Sequence, residues 1–553
     1  MKTRVAILIL GAVAIWLVAQ PSAKPLASIT PPGAVLYIEA KNFGALLTEW
    51  NASAEKRAWL ASTNHEVFSR SRLFLRLGDV YDEYAKAVGL PPDMNLLNSV
   101  AGAESALAVY DINSLEFLYV TRLASARAMQ SVVWQVREKF AQRSASGVTY
   151  YAKTDGASKR TAAFAIAGDL LLLATREDAL TAALALNAGA QGAPVATEPW
   201  FVDALKEAGS AGEVRMVTNM ERLVRAPAFR SYWVQRNVAD MRQYRAAISD
   251  IRREGNEFKE ERVLLRAEAA PAPDITALRE LSRLVSPSAT VYRAWAKPDA
   301  EAAAKWISAR LLNPGTTIAA RTEMAPNVSA GPGIAGDESD LETRLDSPAS
   351  EANENVFREV PLRDLLLANR PLAMLSMHQL RTQSDQVFVN HDTVIALRAG
   401  SAWNATPVRD ALVQSLSRVI STSAIGMQWR DQQGIAELDG LHPLAIQVQG
   451  NVLLISNRAE AIRSLASGSS AVQWPANVSY VAGYRVGPEV ASVERMMRLI
   501  EFPGRDASGG EPPLFSANLP SLARSLRRLQ AVTVAEQDQG RAVRQSVSYR
   551  MTP

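Results

Sequence analysis

The chain has no cysteine in its 553 residues. That absence removes disulfides, thiol chemistry and lipid attachment through an N-terminal cysteine, so stability rests on burial. Histidine is nearly absent as well. The four are His65, His378, His391 and His442, and no two of them stand four apart on a helix. A zinc site would therefore need scattered imidazoles helped by carboxylates. No run of Lys and Arg occurs, and the net charge is only +4, which gives no electrostatic footprint for nucleic acid. No Gly-rich phosphate loop and no serine-nucleophile motif stands at a strand-to-helix turn. No catalytic residue, cofactor or metal ligand is assigned.

Apolar residues make up 48% and charged residues 21%, an ordinary globular balance with material for large cores. The length predicts more than one domain. At the N-terminus "MKTR" precedes the uncharged run Val5 to Ala19. Such a run is short for a spanning helix and right for an export signal. The cleavage motif is poor, because Leu17 and Pro21 occupy the minus-three positions before Ala19 and Ala23. Residues 1–30 are thus expected to be a signal peptide or a retained anchor, with the body exported to the periplasm or tethered at the inner membrane.

The main feature is internal. "AFAIAGDLLLLATREDAL" (Ala163 to Leu180) returns ungapped as "AIQVQGNVLLISNRAEAI" (Ala445 to Ile462), with Gly168 on Gly450 and Arg176 on Arg458. The Gly-Asp and Gly-Asn pairs suit a two-residue hairpin turn that opens on positive φ. Each copy follows a β-rich run and an apolar-periodic segment. One segment is Arg127 to Phe140, with Met129, Val132, Val133, Val136 and Phe140 on one face. The other is Pro407 to Ile420, with Val408, Leu412, Leu416, Val419 and Ile420. Downstream, Ala247 to Arg266 and Ala531 to Arg550 each predict a hairpin of alternating strands, half-exposed like an edge or platform. "PGAVLY" at Pro32 and "PSATVY" at Pro287 mark the two starts.

These features predict an α+β chain of two tandem-duplicated lobes, each a largely antiparallel sheet with helices packed on one side. The first lobe is 31–270, a linker follows at 271–285, and the second lobe is 286–553. Asn313 to Val356, rich in Gly, Pro, Ser and Asp, is expected to be a disordered insert within the second lobe. Its "GDESDLETRLD" lacks the ligand spacing of a calcium loop.

Candidate functional residues are few. His391 beside Asp392 is a pair some metal hydrolases use, although a surface pair is the plainer reading. Trp50, Trp134, Trp233, Trp306 and Trp429 read as helix-on-sheet core, with an aromatic sugar- or lipid-facing groove as the alternative. The stretch from Arg225 to Arg245 mixes arginine with aromatics. Arg225, Phe229, Arg230, Tyr232, Trp233 and Arg236 form a candidate interface with a protein partner or anionic lipid heads, against the simpler reading of a solvated helix face.

The export signal is followed by "PPGAVLYIEAKNF", "GLPPDMNLLNSVAGAESALAVYD", "YVTRLASARAM", "GDLLLLATREDAL" and "VTNMERLVRAPAFRSYW". In this combination the chain resembles a bacterial family of exported or membrane-tethered proteins known only as a domain of unknown function. The resemblance runs from Pro31 to about Arg266 and more weakly through the second copy. It implies an envelope location and transfers no activity or catalytic residue. The expected role is a binding or scaffolding component whose partner is an envelope protein or lipid. The alternatives are a carrier of an apolar ligand and a degenerate hydrolase with an unrecognised site.

Overall fold

The structure, a computed structural model, describes residues 24–552 except 61–64, 66–77, 79–81, 87–88, 92, 113, 227–240, 287–288, 313–353, 381–390, 417–427, 440–442, 467–473, 488–489 and 491–526. It is α+β and dominated by antiparallel strands. The chain divides into two compact units. One comprises Met1–Thr48, Arg76–Lys206 and Met216–Ala226; the other comprises Glu49–Leu75, Glu207–Arg215 and Pro227–Pro553.

In chain order the first strands are β1 (Leu36–Lys41), β2 (Glu104–Asp111), β3 (Glu116–Arg122), β4 (Ala141–Ala145) and β5 (Val148–Thr154). Next come β6 (Thr161–Ala167), β7 (Leu170–Ala174), β8 (Val214–Asn219), β9 (Tyr244–Glu254) and β10 (Glu257–Arg266). Later in the chain are β11 (Val291–Ala296), β12 (Ala373–Leu380), β13 (His391–Arg398), β14 (Gln428–Gln432) and β15 (Ile435–Asp439). The last five are β16 (Leu444–Gln449), β17 (Val452–Ser456), β18 (Tyr480–Arg485), β19 (Leu529–Asp538) and β20 (Ala542–Met551).

In the first unit the strands lie in the order β8-β1-β2-β3-β7-β6-β5-β4. In the second unit the order is β14-β15-β16-β17-β13-β12-β11-β18-β19-β20-β10-β9. The run β4-β5-β6-β7-β3-β2-β1-β8 thus recurs strand for strand as β14-β15-β16-β17-β13-β12-β11-β18. Gly168 and Gly450 close the β6–β7 and β16–β17 hairpins at φ +64° and +61°. Only a residue without Cβ takes that conformation freely.

Both faces of the second-unit sheet are covered. On one, helices Thr276–Leu281 and Ala459–Ala466 bring Leu278, Leu281, Ile462 and Leu465 onto Leu375, Met377, Val394 and Leu454. On the other, helices Ala300–Ile307, Glu354–Asn369 and Ala405–Gln414 bring Ile307, Leu366, Val408 and Leu412 onto Met374, Ile395, Leu397 and Ile455. The expectation of helices on one side only is corrected. β17 is apolar from Val452 to Ile455 and β13 from Val394 to Leu397, and a continuous run of that kind needs cover on both faces. In the first unit β7 is buried likewise, with Leu171 in a cluster around Val133, Phe140 and Phe164.

Other expectations also shift. Arg127 to Phe140 is not one helix. It breaks into Ser125–Ala128, Val132–Gln135 and a 3-10 turn Arg137–Lys139. Ser131 causes the break: its hydroxyl donates to the Ala128 carbonyl and accepts from the Trp134 N–H, ending one turn and capping the next. Met129, placed on the buried face by periodicity, is 49% exposed. The second counterpart does form, as helix Ala405–Gln414, capped by Asn404 and burying Val408, Leu412 and Leu416; Val419 and Ile420 lie outside the described residues. Helix Glu354–Asn369 starts three residues inside the segment expected to be insert, and the rest of that insert lies outside the described residues.

Candidate functional site

Two structural centres gather polar side chains. The first is the corner where a hairpin strand runs into its helix, and it is built twice from the same chemistry. In the first unit the Thr175 hydroxyl accepts from the Phe117 N–H at 2.8 Å, tying the end of β7 to the start of β3. Arg176 then bonds Glu116 at 2.9 Å and Asp178 on the helix Glu177–Asn187 at 3.0 Å. In the second unit the Asn457 side chain accepts from the Thr393 N–H at 2.9 Å. Arg458 then bonds Asp392 at 3.4 Å and Glu460 at 3.0 Å. The arginine hydrogen bond, ahead of the opposing effect of burial, holds the Asp178 carboxyl below its usual range. Glu460 is also lowered, first by its own backbone N–H at the helix start and then by Arg458, against burial.

This geometry explains the His391–Asp392 pair. Asp392 occupies the place that Glu116 takes in the first unit, as the strand-start partner of an arginine, with its side chain 12% exposed. His391 precedes it in β13, so the two side chains leave opposite faces of the strand. The Asn457 amide donates to the His391 carbonyl at 2.8 Å. Beside Asp392 is a crevice of about 10 Å³, also lined by Ser286, Gln379 and Ser464, with room for roughly one water. His378 is buried and its Nδ1 lies 2.9 Å from the Thr393 hydroxyl. Among the described residues no three His, Asp or Glu converge as metal ligands.

The second centre joins the closing hairpins. The sequence places them as edge or platform strands: β9 does end the row, whereas β10 and β20 are corrected as edges, since they pair with each other along their length. The register is its own image. Glu257, first in β10, faces Arg550, ninth in β20, while Ala542, first in β20, faces Leu265, ninth in β10. The fifth residues, Glu261 and Ser546, face each other, and the Ser546 hydroxyl donates to Glu261 at 2.7 Å. At one end Arg266 donates to Asp538 through both nitrogens of its fork, at 2.5 and 2.8 Å, and the Gly540 N–H adds a bond at 2.9 Å. Burial alone would raise Asp538, yet Arg266 and the Gly540 N–H outweigh it and hold the carboxyl below its usual range.

Across β9, β10, β20 and β19 one face carries a continuous polar row. The Ser249 hydroxyl donates to Glu260 at 2.6 Å, and Arg262 donates to Glu260 at 2.7 Å and to Gln545 at 3.2 Å. The Gln545 amide then donates to Glu536 at 2.8 Å. Burial is the main influence on Glu536 and pushes its carboxyl up, with Asp538 adding to the rise. Each member has its partners, so the row fixes strand positions in a half-buried setting. The opposite face carries exposed Glu261 and Thr533 beside half-buried Lys259, Ser546 and Ser548, with both charge signs mixed.

Of the candidate interface residues, Arg225 is exposed, while Phe229, Arg230, Tyr232, Trp233 and Arg236 lie outside the described residues. Trp134, Trp306 and Trp429 are partly buried against the cores, whereas Trp50 is 47% exposed. The apolar run Val5 to Ala19 lies outside the described residues, and among the described residues no helix is long and apolar enough to cross a membrane. The β10–β20 union escaped sequence reasoning; its one signal was the matched alternation of the two hairpins.

No family model matches the chain, and no curated protein matches it. Among solved structures it is similar to crystal forms of TP0453, a treponemal envelope protein. Form I matches at 12% identity and a TM-score of 0.25, covering 47% of this chain and 86% of that one. Form III matches at 12% identity and a TM-score of 0.24, covering 49% and 90%. A likeness at that level carries no argument about fold or role.

Proposed function

We propose that this chain is a tandem-duplicated, non-catalytic binding or scaffolding component of the bacterial envelope, held outside the cytoplasm by its N-terminal apolar segment. The observation that carries the reading is the twofold recurrence of the strand order together with the arginine corner at Arg176 and Arg458. Residues repeated in this way tie elements together, as their bonds do here, and the repeated pattern is one of shape. The mixed-charge face of the β10–β20 platform is the surface such a component would offer. The N-terminal "MKTR" and the apolar run after it support export.

A reporter enzyme active only outside the cytoplasm, fused after residue 30, tests the location; activity confined to an internal reporter would overturn it. A photocrosslinking residue at Thr533 or Lys259 tests the role. Discrete adducts in native envelopes are expected, and their absence with labelled, folded protein counts against a scaffold. Hydrolysis of generic ester or glycosidic substrates by the purified chain would count against a non-catalytic role.

A further inference from the structure

We propose that Arg293 and Arg310 form a phosphate-binding site over the indole ring of Trp306. The inference is independent of the scaffold reading. Arg293 projects from β11 on the same face as Trp295, two residues on. Trp306 stands on helix Ala300–Ile307, and Arg310 on the π-helical turn Ser308–Leu312 that follows it. Such turns often mark functional sites. The Trp306 ring is held edge-on by Trp295 at 5.3 Å, and Trp295 meets Tyr480 at 6.1 Å. Over this fixed ring lie both guanidiniums, Arg293 at 5.2 Å and Arg310 at 4.8 Å from its centroid.

In two other such pairs the arginine also bonds a carboxylate, whereas Arg253 over Phe258 bonds the Gly255 carbonyl at 3.2 Å. Arg160 over Tyr84 pairs with Glu83 at 2.8 Å, and Arg409 over Trp429 pairs with Asp431 at 2.6 Å. Among the described residues Arg293 and Arg310 have no such partner, and the buried Trp306 indole N–H has no acceptor. Burial first, and then the neighbouring Arg293, push the Arg310 guanidinium down. Two like charges share one ring and repel. An anion whose charge is spread over several acceptor oxygens relieves that repulsion and fits two planar forks. The ligand class is therefore a phosphate group, either free or in a lipid headgroup.

The test uses the full chain. Inorganic phosphate is titrated calorimetrically at constant ionic strength, and vesicles of phosphatidylglycerol or of phosphatidylcholine are sedimented with the protein. Phosphate binding that weakens roughly tenfold or more per arginine in Arg293→Gln and Arg310→Gln is expected, with Arg279→Gln as an unaffected control and Arg310→Lys in between. Loss of sedimentation with phosphatidylglycerol vesicles in the same variants would make the headgroup the source. The idea is overturned if the native chain binds neither phosphate nor phosphatidylglycerol vesicles. It is also overturned if the double variant binds as the native chain does, or if the control variant loses as much. Circular dichroism confirms that each variant is folded, and the charge-retaining Arg310→Lys keeps the test decisive should a glutamine variant unfold.

Discussion

The bends at Gly168 and Gly450 have the same backbone shape but are secured by different means. At the first, the Leu123 N–H donates to the Asp169 carbonyl at 2.8 Å, Ser125 bonds the Gly168 carbonyl, and Arg122 reaches the Asp169 side chain at 3.0 Å. At the second, the Ala399 N–H donates to the Asn451 carbonyl at 2.9 Å, and the buried Trp403 supplies the rest. Its backbone N–H donates to the Gly450 carbonyl at 2.9 Å, and its indole N–H to the Asn451 carbonyl at 3.1 Å. One bend is held by charge and a hydroxyl near solvent, the other by a ring that also packs into the core. The same shape can thus be kept while its support moves from electrostatics to burial, and the two bends should respond differently to salt.

The contrast can be broken most forcefully at Trp403. Trp403→Ala removes a 5% exposed ring and the indole bond to the turn, and is expected to destabilise the chain by about 3–5 kcal/mol in urea unfolding. Ser125→Ala should cost about 1 kcal/mol. Comparable losses from the two would abolish the distinction.

Next in size is the hairpin junction, where two carboxylates on β19 should respond to pH with opposite signs. Asp538 is held below its usual range. Its stabilisation is present above the unfolded-state carboxyl value and is lost as pH falls through the lowered one. Asp538→Asn is therefore expected to destabilise by about 2 kcal/mol at pH 7, with the gap narrowing in acid. Glu536 is raised by burial, so its charge opposes folding at neutral pH, and that opposition fades as pH falls through the raised value toward the unfolded-state value. Glu536→Gln should raise the midpoint at pH 7 and match the native chain near pH 4. Thermal melts across that range that moved both variants the same way would refute the assignment.

A smaller effect sharpens the likeness of the bends. Gly168→Ala and Gly450→Ala meet no atom within 4 Å, so only backbone strain acts. Each should lose about 1 kcal/mol. A twofold disparity in chemical-denaturation midpoints would show that the bends are not interchangeable. Least of all should come from the repeated corners: Arg176→Gln and Arg458→Gln break half-exposed pairs worth under about 1 kcal/mol each, a loss that 1 M salt should largely erase in the native chain.

Hairpins and strand starts were legible in the sequence because they depend on neighbours in the chain. Gly168 and Gly450 at their turns are of this kind, whereas the helix capped by Asn404 starts two residues before the segment begun at Pro407. The break at Ser131 was not legible, since the apolar spacing around it fits an unbroken helix and one hydroxyl decides otherwise. Cover on both sheet faces was signalled by the continuous apolar runs of β7 and β17, but while helix Ala459–Ala466 follows β17 directly, the helices on the other face are more distant in sequence. Asp392 looked like chemistry beside His391. Only the strand pairing that brings it to Arg458 shows it as part of a brace. The union of β10 with β20 links residues nearly the length of a region apart, beyond the reach of local pattern.

That union has a consequence for how the chain is made. A ribosome releases β10 long before β20, and in the interval the side of β10 that β20 will pair is an open ladder. Two nascent chains on one message could zip there before either meets its proper mate. Refolding yield is accordingly expected to drop as chains are crowded together, and slow translation between the two hairpins should favour the unwanted pairing.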